Sequence, residues 1–287
     1  MDFNVITPKT KSELLKTIKA EKQFRFGAGC TDLLMELKKN PEEGLTVINL
    51  SQVEDARFNG IKKSATGYRM GSMLTAHKIV MSEEIKNNYP VLHEAAQSLA
   101  STQIRQVATI GGNICTASPS GDIACALVAL EASCELLSAT GKTRNIHITD
   151  FLTGLRKTAL KKNEVLYGVT VPSNKKNSKN IFSNFIKVGT RRSMECSVVS
   201  LAYHIQTNES GKIIHAGVAI GASAPTIRFA KSACDLLIGK KFKDISQKEK
   251  EEFAEKVLSY AAPITDIRAT AWYRKEVLFN ISKSIFE

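Results

Sequence analysis

Two short glycine-containing segments hold the residue types from which an anion-holding site can be built. The first, Phe26-Gly27-Ala28-Gly29-Cys30-Thr31-Asp32, follows a β-like run and opens a helical pattern headed by Leu33. Unpaired backbone N–H groups and the helix dipole at such a junction hold phosphates. A Rossmann dinucleotide loop needs a third glycine where Asp32 stands and an acid at the end of the next strand, where the chain has Asn49 and Ser51 instead, so that site is disfavoured. Taken alone, the segment reads equally as a plain strand-to-helix turn. The second, Ala108-Thr109-Ile110-Gly111-Gly112-Asn113, has adjacent glycines that permit positive φ and let a ligand approach the backbone without a Cβ clash, with Thr109 and Asn113 as side-chain donors. It runs into Ser118-Pro119-Ser120-Gly121-Asp122, where Asp122 either caps a helix or accepts hydrogen bonds from a ligand's hydroxyls. Two such loops feeding one α/β body suggest a long ligand with a diphosphate at its middle, and the Gly111-Gly112 loop reads as the stronger half.

The other reactive residues point away from substrate chemistry. Five histidines show no Ser-His-Asp arrangement and no histidine cluster, and no paired carboxylates stand out. Six cysteines form no C-x-x-C pair and read as buried small hydrophobes, with neither a metal site nor a disulfide framework expected. A net charge of +12 raises nucleic acid as a partner, but the basic residues fall in scattered pairs such as Lys161-Lys162 and Lys240-Lys241, with no basic stripe interleaved with aromatics. An anionic cofactor or acidic partner explains the charge more simply. The N-terminus lacks a secretory apolar core, which predicts a cytoplasmic protein, and the longest apolar run, residues 123–130, is far below the roughly 20 residues of a membrane span.

The elements that must position the loops follow from periodicity. Thr10 and Glu13 make a capping-box pattern before Leu14, Leu15 and Ile18, and Phe24-Arg25-Phe26 reads as a strand. Leu33, Leu34 and Leu37 share one face of a second helix, and residues 46–50 read as a buried strand. Residues 1–55 are thus a small α/β unit. A mixed unit spans 56–175, with two short strands in 57–72, a helical stretch over 75–100 broken at Pro90, a helix after Gly121, and strands over 134–138, 143–146 and 165–171. The polar stretch 173–180 marks the boundary. Beyond it, residues 181–287 read as three strands (182–188, 196–206, 213–220) and then three helices.

The strings around residues 28–34, 103–113 and 117–122 resemble the FAD-binding subunit of the molybdenum hydroxylases, the family of xanthine, carbon monoxide and nicotinate dehydrogenases. The resemblance continues, in order, through Phe151-Leu152-Thr153-Gly154, Glu164-Val165-Leu166, Lys187-Val188-Gly189-Thr190-Arg191-Arg192 and Ala271-Trp272-Tyr273-Arg274. It implies an α+β fold: two α/β subdomains gripping FAD in the manner of vanillyl-alcohol oxidase, then a C-terminal domain of a three-stranded antiparallel sheet on helices. It further implies that residues Phe26 to Leu33 and Thr109 to Asn113 hold the diphosphate. Asp122 would meet the ribityl or ribose hydroxyls, and Leu99, Leu166 and Lys187 would line the rest of the flavin site. Lys187 would lie near the flavin's N1 and C2 carbonyl and raise its potential. The implied partners are a [2Fe–2S] subunit that delivers electrons, a large molybdopterin subunit that oxidises substrate, and NAD+ or another acceptor; a purine or N-heterocycle is the implied substrate class.

One departure is Cys30, which stands where many relatives have a second glycine. An ordinary φ is expected there, with the side chain turned from the phosphates. No cysteine-rich insertion for an extra iron–sulfur cluster lies between the loops. Two rival readings remain at this stage: a stand-alone flavin reductase of the UDP-N-acetylenolpyruvoylglucosamine reductase type, and a basic nucleic-acid-binding or scaffold protein without cofactor.

Overall fold

The structure is a computed structural model that describes residues 3–191 and 194–287. Met1, Asp2, Arg192 and Ser193 lie outside the described residues, and with them the opening residues of the chain and the end of the Lys187-to-Arg192 string.

Thr10 accepts the Glu13 amide and starts α1 (Lys11–Ala20), which connects β1 (Asn4–Ile6) to β2 (Phe24–Gly27). A second crossover, α2 (Leu33–Lys39), connects β2 to β3 (Thr46–Asn49). Helical crossovers return the chain in the same direction, and the three strands are parallel in the order β1-β3-β2. Leu14 and Ile18 of α1 pack with Ile48 and Leu50 on one face, while Leu37 of α2 meets Leu45 and Val47 on the other. Leu34, expected on that buried face, is exposed. Leu33 and Leu37 lie one turn apart, so the position next to Leu33 turns away from them.

The second unit begins with α3 (Ala56–Asn59), β4 (Ile61–Ser64) and β5 (Gly67–Gly71). The helical stretch expected to break only at Pro90 is broken twice, giving α4 (Ala76–Val80), α5 (Glu83–Asn88) and α6 (Pro90–Ser98). Ser82 caps the second piece, and Pro90, which needs no N–H donor at a first turn, opens the third. After α7 (Thr102–Val107), α8 (Ile110–Thr116) and α9 (Asp122–Ala129) come β6 (Ser133–Ser138) and β7 (Thr143–His147). Next are α10 (Ile148–Phe151), the pair β8 (Leu152–Gly154) and β9 (Lys157–Thr158), and finally β10 (Glu164–Pro172). An antiparallel sheet in the order β4-β5-β10-β6-β7 results.

The third unit is an antiparallel sheet of β11 (Asn180–Val188), β12 (Val199–Thr207) and β13 (Ile213–Gly221), extended by the two-residue β14 (Arg228–Phe229). The sheet thus has a short fourth strand beyond the three expected. Phe185, Ala202 and Ala219 join the core built on α6 and α9. Every residue of α9 is buried, and all but Asp122 are apolar, as a helix enclosed by its neighbours requires. Val199, Leu201 and Val218 instead pack with α11 (Lys231–Leu237), α12 (Gln247–Leu258) and α13 (Ala271–Ser284) through Leu237, Phe253 and Leu278. The boundary stretch is strapped to this sheet. Asn174 Oδ1 accepts from His204 Nε2 at 2.9 Å and Gln206 Nε2 at 3.1 Å, while Gln206 Oε1 accepts the Lys175 amide at 2.8 Å. Ser183 donates its hydroxyl to His204 Nδ1 at 2.9 Å. Burial pushes His204 down to about 3, so this imidazole is neutral.

Candidate functional site

The two glycine segments meet at the seam between the first sheet and the second. A Cβ on Gly29 would lie 1.9 Å from the Val107 carbonyl oxygen, so only glycine lets the first loop rest on the turn that leads into the second. Between them opens a cavity of about 210 Å³, which Phe26, Ala28, Gly111, Gly112 and Leu166 line together with Arg25, Leu50, Ser72, Met73, Cys115, Leu160 and Val165. The last seven carried no sequence signal as site residues. Cys115 lies on α8 and the others on or beside strands and in the loop before β10, and only folding of the second sheet brings them here.

Counting backbone donors reverses the ranking of the two loops. The amides of Ile110, Gly111, Gly112 and Asn113 are all committed: to Leu74 O at 2.9 Å, Ser72 O at 2.7 Å, Thr109 Oγ1 at 3.0 Å and Thr109 O at 3.0 Å. Gly111 and Gly112 are not at positive φ, since they form the first turn of α8, with Thr109 as its cap. Gly111 is needed because a Cβ there would lie 2.8 Å from Ser72 O and Cβ. Ile110 belongs to the core. By contrast, the amides of Gly29, Cys30, Thr31 and Asp32 have no acceptor among the described residues.

Cys30 corrects the expectation of an ordinary backbone: its φ is +57°. The left-handed conformation costs an L-residue about 1–2 kcal/mol, and a strained turn among four unpaired amides at a strand-to-helix junction is the kind of backbone that forms an anion-holding nest. The Cys30 thiol folds back on the Ala28 carbonyl at 3.7 Å and lies against Gly27. Burial pushes the Cys30 thiol up and the Cys115 thiol up to about 12, so neither presents a thiolate to the cavity. Cys196 departs from the buried-hydrophobe reading of the cysteines, since it is exposed.

The carboxylate of Asp32 is held away from the nest by Arg156, 2.9 Å, and Thr116, 3.4 Å. Thr31 and Leu33 complete the turn, with Leu33 packed on the α2 core. Ser72 Oγ is buried without a partner among the described residues and lines the cavity. Arg25 is committed to Glu36 at 2.9 Å and Glu42 at 3.0 Å, so open amides, an orphaned hydroxyl and apolar walls are what the site offers a diphosphate bearing ring systems.

Asp122 and Lys187 lie at a second cleft. Asp122 does not cap α9; Asn113 does so, its Oδ1 accepting the Ala124 amide at 2.9 Å. Lys187 Nζ on β11 donates to Asp122 Oδ2 at 2.6 Å and to Ser98 O at 3.1 Å, and Ser197 Oγ donates to Asp122 Oδ1 at 2.8 Å. Burial pushes the Asp122 carboxyl up, and the Lys187 ammonium and Ser197 hydroxyl pull it back. The lysine is therefore one half of a buried ion pair that joins the second unit to the third. Beside it a cleft of about 630 Å³ is walled by Gln97, Ser98, Arg105, Phe185, Lys187 and Arg191. Leu99 ends α6 next to Ser98, its carbonyl accepting from Arg105 Nη1 at 2.9 Å.

Residues 1–174 match the family described as the FAD binding domain in molybdopterin dehydrogenase, and residues 184–287 match the CO dehydrogenase flavoprotein C-terminal domain. The glyceraldehyde dehydrogenase medium chain of Sulfolobus acidocaldarius is 27% identical over 286 residues, spanning 100% of this chain and 98% of its own. The nicotinate dehydrogenase FAD-subunit of Eubacterium barkeri is 26% identical, spanning 99% and 95%. Carbon monoxide dehydrogenase from Hydrogenophaga pseudoflava shares the fold at a TM-score of 0.89 and 24% identity, over 99% of this chain and 96% of that one. Quinoline 2-oxidoreductase from Pseudomonas putida 86 shares it at 0.88 and 23%, over 100% and 96%. The chain belongs to the FAD-binding domain family of the molybdopterin dehydrogenases, and the cofactor it binds is FAD.

Proposed function

We propose that this chain is the electron-transfer subunit of a molybdenum hydroxylase, taking electrons from a [2Fe–2S] partner and passing them to NAD+ or another acceptor. The observation that carries the reading is the nest at residues 29–32, four amides with no acceptor among the described residues, beside an apolar cavity. Bound FAD supplies the exchange between one-electron and two-electron carriers. The amides of Gly29 to Asp32 hold its diphosphate, with Gly27 and Ala28 fixing the turn. Gly111 and Gly112 keep their side of the cavity free of side chains, while Phe26, Leu160 and Leu166 exclude water from a ring. Thr109 and Asn113 act indirectly, as caps of α8 and α9. Asp122 and Lys187 meet the flavin half as a pair, beside Leu99.

Oxidation of substrate, a purine or other N-heterocycle, takes place on a molybdopterin partner, so the chain needs no acid or base of its own. Its six cysteines are free thiols, which suits a reducing cytoplasm. Gentle purification from the native cell tests the reading: a flavin absorption spectrum is expected together with co-eluting iron–sulfur and molybdenum chains. Recovery of a colourless single chain would overturn it.

A further inference from the structure

The nest that holds the diphosphate carries a charge of the wrong sign on one of its own residues. Asp32 supplies an open amide, and its carboxylate stays close to that amide because both belong to one residue. The residue stands at the N-cap position of α2 and yet caps nothing, since its side chain accepts no amide of the helix. Glu36, one turn on, and Glu42 are further acids nearby, both paired with Arg25. An unbalanced carboxylate repels a dianionic diphosphate with an energy that falls inversely with distance and is screened by salt. Arg156 supplies the balance. Its Nη1 donates to Asp32 Oδ2 at 2.9 Å and to Glu36 Oε2 at 3.3 Å, and its Nη2 donates to Asp32 Oδ1 at 3.4 Å. Three acids thus share two guanidinium groups, and among the described residues it is Arg156 that pairs with Asp32.

The backbone at Arg156 is strained to put the guanidinium there. Its φ is +53°, in the turn between β8 and β9, where glycine would be free of strain. The Arg156 amide donates to Ala117 O at 3.1 Å, which ties the turn to the end of α8, beside Thr116. Thr116 Oγ1 is the other donor to Asp32. Both donors therefore come from the second unit, across the seam at which the two glycine segments meet. The Arg156 and Asp32 side chains are 50% and 45% exposed, so their pairing adds little to the stability of the fold. A strained turn that aims a cation at this one carboxylate does more for an anion in the nest than for the fold.

We propose that Arg156 is a positioning residue for FAD: by pairing with Asp32 it turns that carboxylate from the nest and cancels its repulsion of the diphosphate. The inference rests on the proposed function and deepens it, naming a residue that sets FAD affinity through another side chain rather than by touching the cofactor.

The test is a charge cycle on the full-length chain stripped of flavin: Arg156→Gln, Asp32→Asn and the double variant, each titrated with FAD by fluorescence quenching at low and at high salt. Arg156→Gln is expected to raise the FAD dissociation constant about three- to tenfold at low salt, with a smaller loss at high salt, as a screened charge demands. Asp32→Asn removes the acid and keeps the cation, so it is expected to lower the constant. The double variant is expected to return to within about twofold of the parent. ADP, displacing FAD, follows the same order, since it carries the same diphosphate. Parental FAD affinity in Arg156→Gln overturns the inference and leaves the proposed function standing. A double variant as weak as Arg156→Gln alone overturns it as well, because Arg156 then braces the seam and does not balance a charge. A parent chain that binds no FAD overturns the proposed function and the inference together.

Discussion

Gly29→Ala tests the contact on which the site is built. The added Cβ would stand 1.9 Å from Val107 O, 2.6 Å from Val107 C and 3.1 Å from Ala108 N. Carbon–oxygen contacts settle near 3.3–3.6 Å, so the two segments must part by more than about 1 Å. All three obstructing atoms are backbone, and no rotamer change can clear them. Overpacking a tight site costs about 1–3 kcal/mol, and an unyielding backbone puts this case in the upper half, about 2–3 kcal/mol. If the nest absorbs the displacement, the FAD dissociation constant rises about 30- to 150-fold. Quenching of flavin fluorescence, titrated on deflavinated protein, reads the affinity, and thermal melting reads any share taken by the fold. Gly154→Ala is the control, since a Cβ there meets only Lys157 side-chain carbons at an ordinary 3.7 Å. A Gly29→Ala protein with parental FAD affinity and parental melting temperature would refute the reasoning.

Three other outcomes are expected. Cys30→Gly removes a Cβ from φ +57°, which stabilises the fold by about 0.5–1 kcal/mol after the extra chain entropy of glycine, with FAD retained; Cys30→Val lowers the melting temperature instead, and equal melting of the two variants would contradict the strained assignment. Lys187→Met leaves Asp122 unbalanced and lowers the flavin potential with FAD still bound, while Asp122→Asn leaves Lys187 unbalanced and raises it; redox titration showing no shift, or shifts of the same sign, excludes the pair as a tuning device. His204 is held near a pKa of about 3 against 6.5 when free. The unfolded chain therefore binds the extra proton between these values, and stability is lost as pH falls from 6.5 toward 3, by at most about 1.4 kcal/mol per unit. His204→Gln should flatten that slope in denaturant titrations run across the window, and an unchanged slope would assign the acid sensitivity elsewhere.

Much of the architecture is legible because local patterns and tertiary demands agree. Thr10 and Glu13 start α1, Pro90 starts α6, and the runs read as strands over 182–188, 196–206 and 213–220 become β11, β12 and β13. The site is only half legible. Glycine pairs advertise freedom at φ, yet Gly111 and Gly112 are helical, and the reason for Gly111 is Ser72, which the sequence cannot bring near. Cys30 argues against a left-handed turn on its own preference, and the need for converging amides overrides it. Asp122 at a helix start reads as either a cap or an acceptor for a ligand's hydroxyls until Lys187 and Ser197, far along the chain, are folded onto it. Ser72, Met73 and Leu160 left no mark because residues that follow a strand or precede one become cavity walls only after the sheets close.

The central claim, that a nest of four amides holds FAD by its diphosphate, is tested most directly by titrating deflavinated protein with FAD, riboflavin and ADP in turn. The account predicts that FAD binds far more tightly than riboflavin, and that ADP, which presents the diphosphate without the flavin, competes with FAD. Riboflavin binding as tightly as FAD, with no competition from ADP, would contradict it.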